Sequence, residues 1–372
     1  MEHDVFRQLG VKRVINGQSW VTYLGGSIMA PQVRQAMADA ADCYVNIDEL
    51  MLKAGHELAK HTGAEAGLVT AGAAAGMLLE AAACMTLGDP AKILQLPDTT
   101  GMKNEIIIPR TLRVGFDQAF RQAGAKLVEV GNTFSLGEYE LEAAINERTA
   151  AVAYIFGPFL KAPLTLPQVV AVAHKHNVPV IVDASAMLPP AENLTRYIRE
   201  GADMVTFSGG KGVCGPQSTG ILVGRRDLIE AARLNTSPHA GIGRPAKVCK
   251  EEVIGLLAAL DLFVHIDWEA QWKRWRTMSQ AIVDALHEVP GITVRMEDGD
   301  PNRQGPVAAI YFEAKWRGPS QEEVLKQLRE GNPPIYIGSG WYRDELWVTP
   351  VTLKPGEEKV VAARLREALL SG

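Results

Sequence analysis

Between about residues 65 and 235, short apolar runs alternate with segments of helical pattern. Strands separated by helix-length segments favour a largely parallel sheet with helices on both faces. The predicted strands are 67–70, 105–109, 126–130, 150–156, 178–183, 203–207 and 219–224, and the predicted helices are 73–85, 116–123, 138–146, 167–176 and 194–199. The pattern therefore predicts an α/β fold with a mostly parallel seven-stranded sheet, whose ligands lie beyond the carboxyl ends of the strands.

The pattern changes after Asn235. Residues 236–245 form a turn-rich bridge, and one long helical pattern follows from Lys247 to about His287. The remaining segments, 292–295, 307–312, 335–337, 346–349 and 357–370, predict a small α+β domain. We therefore expect an N-terminal arm and first helix over 1–45, a large domain over 46–245, and a long interdomain helix with the small domain over 246–372.

Composition excludes several classes of function. A net charge of −5 without a basic cluster gives no nucleic-acid footprint. The four cysteines are widely spaced, which favours reduced thiols over a disulfide framework or a zinc site, and we predict no metal. The N-terminus lacks a signal-peptide pattern, and the most apolar segment, 64–88, contains Glu65 and Glu80. The expectation is a cytoplasmic protein without a membrane partner.

Lys211 stands in a glycine-rich turn directly after a predicted strand, within the sequence SGGKGVCG. Most lysines are solvated surface residues, and that reading remains open for Lys211. Ser208 can direct a hydroxyl at a phosphate, and the neighbouring glycines let the backbone approach a ligand closely. The turn is not a Walker A loop, because the required glycine and the Ser or Thr after the lysine are absent. A lysine held in this way suits a Schiff base with an aldehyde cofactor.

Asp183 ends the predicted strand 178–183. A strand-ending aspartate is often only a turn former or helix cap. A carboxylate in this place can also hold a pyridine nitrogen protonated, which makes the ring an electron sink. Since Asp183 and Lys211 both follow strands of one sheet, they are expected to face one crevice. Together the two residues suggest pyridoxal 5'-phosphate (PLP) as the cofactor.

The sequence TAGAAAG over 70–76 joins a strand to a helix. It is either a glycine hinge with close packing or a phosphate site, because a helix N-terminus with small residues leaves open amides for an anion. Further candidates are Arg110 for a substrate carboxylate or phosphate, and Asn16, Thr22 and Tyr23 in the arm. Arg244 is a candidate for a neighbouring subunit's cofactor phosphate, whereas Glu105 is at least as readily structural. Arg343 and Lys354 are candidates for an anionic substrate group.

Several motifs together carry a family resemblance. They are VIN over 14–16, KHTGAEA over 60–66, TGMKNEIII over 100–108, AGAKLVEV over 123–130, PVIVD over 179–183, FSGGK over 207–211, GPQS over 215–218 and GIGRP over 241–245. On these, nearly the whole chain resembles fold-type-I PLP-dependent enzymes. It is similar to the branch of bacterial selenocysteine synthase (seryl-tRNA selenium transferase), and within it to the D-glucosaminate-6-phosphate ammonia-lyase group.

The resemblance implies a transferase-like fold, an obligate homodimer or higher homo-oligomer, and a role for each motif residue. Lys211 is implied as the Schiff-base lysine and Asp183 as the pyridinium partner. The implied phosphate contacts are Gly72, Ala73, Ala74 and Ser208. We also expect Ser185 and Arg244 at the cofactor, and Asn16, Thr22, Arg110 and Gln217 at the substrate. One departure is that Thr111-Leu112 follows Arg110, where a Gly-His pair is common in the lyase group.

The implied activity is a PLP-dependent lyase reaction on a small β-hydroxy amino acid or amino sugar acid. α,β-Elimination of water from such a substrate, followed by hydrolysis, gives a 2-keto acid and ammonia. The alternatives are an amino acid racemase or epimerase, an aminotransferase, a selenocysteine synthase-like transferase, or a protein that keeps the fold without turnover. Racemisation needs a second acid/base on the opposite face of the cofactor, and the sequence offers no obvious residue for it.

Overall fold

The computed structural model describes residues 5–158, 160–299, 304–340 and 345–371. Contacts divide the chain into a larger unit, Ser27–His265, and a smaller unit made of Met1–Gly26 and Ile266–Gly372. None of the described helices is both long and apolar enough to cross a membrane.

The helices, in chain order, are α1 (Val5–Gln8), α2 (Pro31–Ala41), α3 (Ile47–Thr62), α4 (Gly72–Thr86), α5 (Pro90–Gln95), α6 (Gln118–Gln122), α7 (Glu138–Ala144), α8 (Leu166–Lys175), α9 (Asn193–Arg199), α10 (Arg226–Leu234), α11 (Lys250–Val264), α12 (Trp268–Leu286), α13 (Gln321–Glu330) and α14 (Glu357–Leu369). The strands are β1 (Ile15–Gly17), β2 (Ala66–Thr70), β3 (Glu105–Pro109), β4 (Lys126–Val130), β5 (Thr149–Ile155), β6 (Val180–Asp183), β7 (Met204–Ser208), β8 (Gly220–Gly224), β9 (Ile292–Glu297), β10 (Val307–Phe312), β11 (Ile335–Ser339) and β12 (Glu345–Val348).

The larger unit contains the predicted seven-stranded sheet, in the order β2-β8-β7-β6-β5-β3-β4. Neighbours from β4 to β7 pair in parallel, whereas β8 is antiparallel to both β2 and β7. Strands β3, β5, β6 and β8 are buried throughout, as expected for strands covered on both faces. The prediction of a mostly parallel α/β sheet is confirmed.

The smaller unit has a five-stranded sheet in the order β1-β11-β12-β10-β9. The expectation of an N-terminal arm outside any core was wrong for part of its length. Strand β1 pairs in parallel with β11, and Ile15 and Trp20 belong to the buried apolar cluster of this unit. A strand of three residues is too short to show a periodicity in the sequence, and the strand with which β1 pairs lies more than 300 residues away.

The predicted single helix from 247 to about 287 is two helices, α11 and α12. The break falls at His265–Asp267, where the Asp267 side chain accepts a hydrogen bond from Ala270 N at 3.0 Å and caps α12. Helix α11 packs on α2 and belongs to the larger unit, whereas α12 belongs to the smaller one. The unit boundaries therefore fall after Gly26 and His265, rather than at the expected 45/46 and 245/246.

Candidate active site

Four segments of the larger unit meet at one edge of its sheet. Asp183 ends β6, Ser208 ends β7, and Thr70 ends β2. Ser208 and Thr70 both pair with Gly220, the first residue of β8, which runs between their strands. The glycine-rich turn with Lys211 leaves from this edge directly after β7, so the predicted cofactor residues that follow β2, β6 and β7 lie together.

The start of α4 lies directly against β8. An added Cβ at Gly220 would come within 2.6 Å of the carbonyl carbon of Gly72, a close approach that only glycine permits. Gly72 itself has a φ of +81°, and its carbonyl oxygen accepts a hydrogen bond from Thr70 Oγ1 at 2.9 Å. This packing holds the first turn of α4 beside Ser208 across the intervening strand.

The N-terminus of α4 is open. Ala71 provides no side-chain cap, and the first residues, Gly72, Ala73 and Ala74, carry no polar side chain. The amides of the first turn of a helix have no intrahelical acceptor, and the dipole of this 15-residue helix favours an anion there. Ser208 Oγ adds a hydroxyl that has no hydrogen-bond partner within the described part of the chain. A phosphate group fits this set of donors.

Lys211 is half-buried, and its Nζ has no acceptor among the described residues. Desolvation lowers the pKa of Lys211 below its ordinary value, and the attraction of the Asp183 carboxylate opposes that shift. A lysine whose ammonium form is disfavoured provides the neutral amine that carbonyl chemistry and proton abstraction both need.

Asp183 is only 4% exposed. Burial raises the pKa of Asp183, while hydrogen bonds from the Ser185 backbone and side chain, and the charge of Lys211, lower it. The Ser185 amide donates to Asp183 Oδ1 at 2.9 Å, and a contact of Ser185 with the cofactor stays a prediction. A buried carboxylate that lacks a contacting cation is costly, and the protonated nitrogen of a pyridine ring would offset that cost.

Two predicted substrate residues lie in the larger unit. Arg110 follows β3 and is half-exposed, and its Nε donates to Glu129 Oε2 at 3.0 Å, so its charge is already paired. Arg113 also pairs with Glu129, which makes that carboxylate a shared partner. Gln217 is exposed, and its backbone packs directly against Gly210 of the lysine turn.

The other predicted substrate residues lie in the smaller unit. The Asn16 side chain closes a turn, since its Nδ2 donates to Ser19 O at 2.8 Å and its Oδ1 accepts from Gln18 N at 2.9 Å. Thr22 is exposed at the start of a short 3-10 turn. Their roles in substrate binding stay predictions. Lys354 is an exposed residue, and Arg343 lies outside the described residues.

Arg244 is exposed on the loop that follows α10, and its guanidinium has no partner among the described residues. Asn235 anchors this loop, since its carbonyl oxygen accepts a hydrogen bond from Gly243 N at 2.8 Å. The Asn235 amide in turn donates to Thr86 Oγ1 at 3.0 Å, at the last residue of α4. The same helix that starts at the predicted phosphate site thus supports the loop with Arg244.

The predicted structural role of Glu105 has direct support. Asn146 Nδ2 donates to Glu105 Oε2 at 2.9 Å and Arg148 Nε donates to Oε1 at 2.6 Å. The Asn146 hydrogen bond, assisted by Arg148, lowers the pKa of Glu105. Glu105 is the first residue of β3, at the end opposite to the lysine turn.

Sequence reasoning missed two residues next to the site, Glu80 on α4 and Thr206 on β7. Thr206 pairs with Asp183 in the register of the sheet, and its hydroxyl donates to Glu80 Oε1 at 3.1 Å. The available signal was a single carboxylate in the otherwise apolar segment of α4. That signal indicates a buried acid, but it does not identify the neighbour.

Comparison with known proteins gives a consistent family. A family model described as L-seryl-tRNA selenium transferase (SelA) matches residues 14–280. The D-glucosaminate-6-phosphate ammonia lyase of Salmonella typhimurium is 34% identical over 99% of this chain and 98% of its own. The 5'-C-glycyluridine monooxygenase-decarboxylase of a Streptomyces species is 32% identical over 98% of this chain and 92% of its own. A solved structure of D-glucosaminate-6-phosphate ammonia-lyase superposes with a TM-score of 0.86, at 33% identity and 99% coverage of both chains.

Proposed function

This chain belongs to the SelA (L-seryl-tRNA selenium transferase) family of fold-type-I enzymes, and we propose that it is a PLP-dependent ammonia-lyase. Its substrate is a small β-hydroxy amino acid or amino sugar acid, which loses water by α,β-elimination and is then hydrolysed by water to a 2-keto acid and ammonia. The observation that carries the proposal is the meeting of Lys211, Asp183 and the open start of α4 at one edge of the sheet. The similarity to an ammonia lyase over almost the whole chain supports the reaction class.

Each part of the site has a distinct task toward the cofactor. The amides of Gly72, Ala73 and Ala74 and the hydroxyl of Ser208 hold its phosphate. Asp183, oriented by Ser185, keeps the ring nitrogen protonated. When bound, PLP supplies an electron sink for the negative charge that develops at the substrate α-carbon.

Lys211 has two tasks in this proposal. With PLP bound, its Nζ would hold the cofactor covalently, and as a free amine it would remove the proton from the substrate α-carbon. Desolvation, which lowers the pKa of Lys211, increases the fraction of neutral amine available for both tasks. Once protonated, the same amine would return the proton to the departing β-hydroxyl oxygen, which then leaves as water.

Arg110 and Gln217 are the substrate contacts that the larger unit offers. Arg110 has its Nε engaged by Glu129, which leaves the two terminal nitrogens of the guanidinium available for an anionic group. Gln217 is proposed because its backbone packs against Gly210, the residue before Lys211.

The proposed assembly is a homo-oligomer in which Arg244 contacts the cofactor phosphate of a neighbouring chain. The support is an exposed guanidinium without a partner among the described residues, on a loop held by Asn235.

Complementation between two inactive variants tests this assembly. Arg244→Ala and Lys211→Ala chains should each be inactive alone. Mixed assemblies should regain activity, because one site then combines an intact Lys211 with an Arg244 from the other chain. Arg244→Ala chains with full activity would contradict the role, and so would mixtures without any recovery.

The decisive experiment on the proposed function is a visible spectrum of the protein with PLP, followed by a product assay. Wild type should show the absorbance of lysine-bound cofactor, and Lys211→Ala should lose it. Lys53→Ala is the matched control, because Lys53 is an exposed lysine of α3. Candidate β-hydroxy amino acids and amino sugar acids should then yield keto acid and ammonia without an added acceptor. Inversion with retention of the amine, or transfer that requires an acceptor, would refute the lyase assignment.

A further inference from the structure

Glu80 is a carboxylic acid in the centre of α4, with 0% of its surface exposed. Its helix is otherwise lined by small and apolar residues, and it packs against the strands of the main sheet. The proposed reaction assigns no task to this group. A buried ionisable side chain is expensive to retain, so its surroundings decide which form it takes.

The contact between α4 and β7 is unusually close at Glu80. One turn before it, an added Cβ at Gly76 would come within 2.6 Å of Thr206 Oγ1. The missing side chain at Gly76 lets the Thr206 hydroxyl reach Glu80 Oε1, to which it donates at 3.1 Å. Glu80 Oε2 is buried and has no hydrogen-bond partner among the described residues.

Thr206 also connects Glu80 with the proposed cofactor site. It is opposite Asp183 in the β6–β7 register, and its carbonyl oxygen accepts from Ala184 N at 2.9 Å. Asp183 and Glu80 are therefore two buried carboxyl groups separated by a single strand residue. Two such groups in one apolar region do not both ionise, because each negative charge opposes the other.

The hydrogen-bond donors are divided unequally between the two carboxyl groups. Asp183 accepts from the amide and the hydroxyl of Ser185 and is attracted by Lys211. Among the residues that the structure describes, Glu80 accepts a hydrogen bond from Thr206 alone. Burial first, and then the charge of Asp183, raise the pKa of Glu80 well above its ordinary value.

We propose that Glu80 is a positioning residue that is protonated at neutral pH and carries the proton of a buried carboxyl pair, so that the negative charge resides on Asp183. This role rests on the proposed function, in which Asp183 must be ionised to hold the ring nitrogen of the cofactor. Glu80 acts through Asp183 and contacts neither the cofactor nor the substrate. The strand residue Thr206 fixes its orientation.

The other titratable groups around α4 leave this assignment unchanged. Cys84, one turn further along α4, is buried, and its desolvation together with the charge of Glu80 raises the pKa of its thiol, so it stays neutral. Asp203 and Arg225 lie at the opposite end of β7 and β8, where they pair with each other at 3.0 Å. Lys211 acts on Asp183 and strengthens the preference for a charge there.

Infrared difference spectroscopy of the cofactor-free protein tests the position of the proton. At neutral pH the carbonyl band of a protonated carboxylic acid should be present in wild type and absent in Glu80→Gln. Asp183→Asn should retain the band. Glu105→Gln is the matched control, because Glu105 is also buried but is held ionised by Asn146 and Arg148. A band that disappears in Asp183→Asn but persists in Glu80→Gln would overturn the proposal.

Two measurements keep the test decisive if a variant does not fold. In the wild-type protein, ¹³C-labelled glutamate should shift the band and ¹³C-labelled aspartate should not. On addition of PLP the band should persist, because the proton stays on Glu80. Loss of the band on binding would mean that the proton is mobile and would refute the positioning role. Failure of the proposed function would appear separately, as wild type without visible absorbance.

The pH dependence of unfolding provides an independent readout. The folded state keeps the Glu80 proton that the unfolded state releases near its ordinary pKa, so wild type loses stability as the pH rises above about 4.3. The unfolding constant of wild type, divided by that of Glu80→Gln, should increase by up to about tenfold per pH unit until Glu80 ionises in the folded state. If the ratio of the unfolding constants of wild type and Glu80→Gln does not change with pH above about 5, the proposal is overturned.

Discussion

Gly220 and Gly72 are in direct backbone contact, since an added Cβ at Gly220 would lie 2.6 Å from the Gly72 carbonyl carbon. Gly220 is also opposite Ser208 in the β7–β8 register. A single glycine of an antiparallel strand therefore sets the distance between the two proposed halves of the phosphate site. The contact joins two segments that are distant in the sequence, and it makes Gly220 a sensitive position.

Gly220→Ala should push the first turn of α4 away from β8. We expect a loss of about 1–3 kcal/mol in the free energy of unfolding, as for other overpacked core positions. The affinity for PLP should fall by about tenfold or more, which corresponds to ~1.4 kcal/mol. Chemical denaturation and a PLP titration measure the two effects. Gly115→Ala is the control, because no heavy atom lies within 4 Å of a Cβ there; equal behaviour of both variants would contradict the packing argument.

Lys211→Met should stabilise the cofactor-free protein at neutral pH. Desolvation lowers the pKa of Lys211 in the folded state, so folding expels a proton or buries an unfavourable charge. The loss of stability caused by Lys211 is greatest below its folded-state pKa, where it is ~1.4 kcal/mol for each unit by which the folded and unfolded pKa differ. It disappears as the pH rises to the pKa of lysine in the unfolded chain, about 10.4. Denaturation curves at several pH values should show a gain that shrinks toward alkaline pH. Lys53→Met, at an exposed site, should show no such trend.

Asp203→Asn should destabilise the larger unit without any change in the chemistry at Lys211. Asp203 accepts from Val180 N at 2.7 Å, Arg225 Nη1 at 3.0 Å and His174 Nε2 at 2.8 Å, and it is 4% exposed. Loss of the charge in this buried network should cost about 1–3 kcal/mol. Asp227→Asn removes the other, exposed partner of Arg225 and should cost less than about 1 kcal/mol. Thermal or chemical unfolding of both variants distinguishes the buried pair from the surface pair.

Leu112→His should destabilise the protein although a histidine is common near this position in the lyase group. Leu112 is 1% exposed in the turn after β3. A buried imidazole without a prepared partner should cost about 1–3 kcal/mol, whereas Leu112→Met should cost less than about 1.5 kcal/mol. A stable histidine variant with an altered PLP spectrum would show instead that the position faces the cofactor.

The local sequence already determined the seven strands of the main sheet and the places of Lys211, Asp183 and Gly72. Strands buried on both faces appear as continuous apolar runs, and residues that follow parallel strands share one edge, so these features require no knowledge of distant contacts. Only the tertiary structure decided that Ile15 begins a strand beside β11, that Arg110 is paired with Glu129, and that Glu80 is bonded to Thr206, the neighbour of Asp183 in the sheet. Each of these depends on which distant segment packs alongside and on how far water is excluded there, and neither is encoded in the periodicity of a single segment.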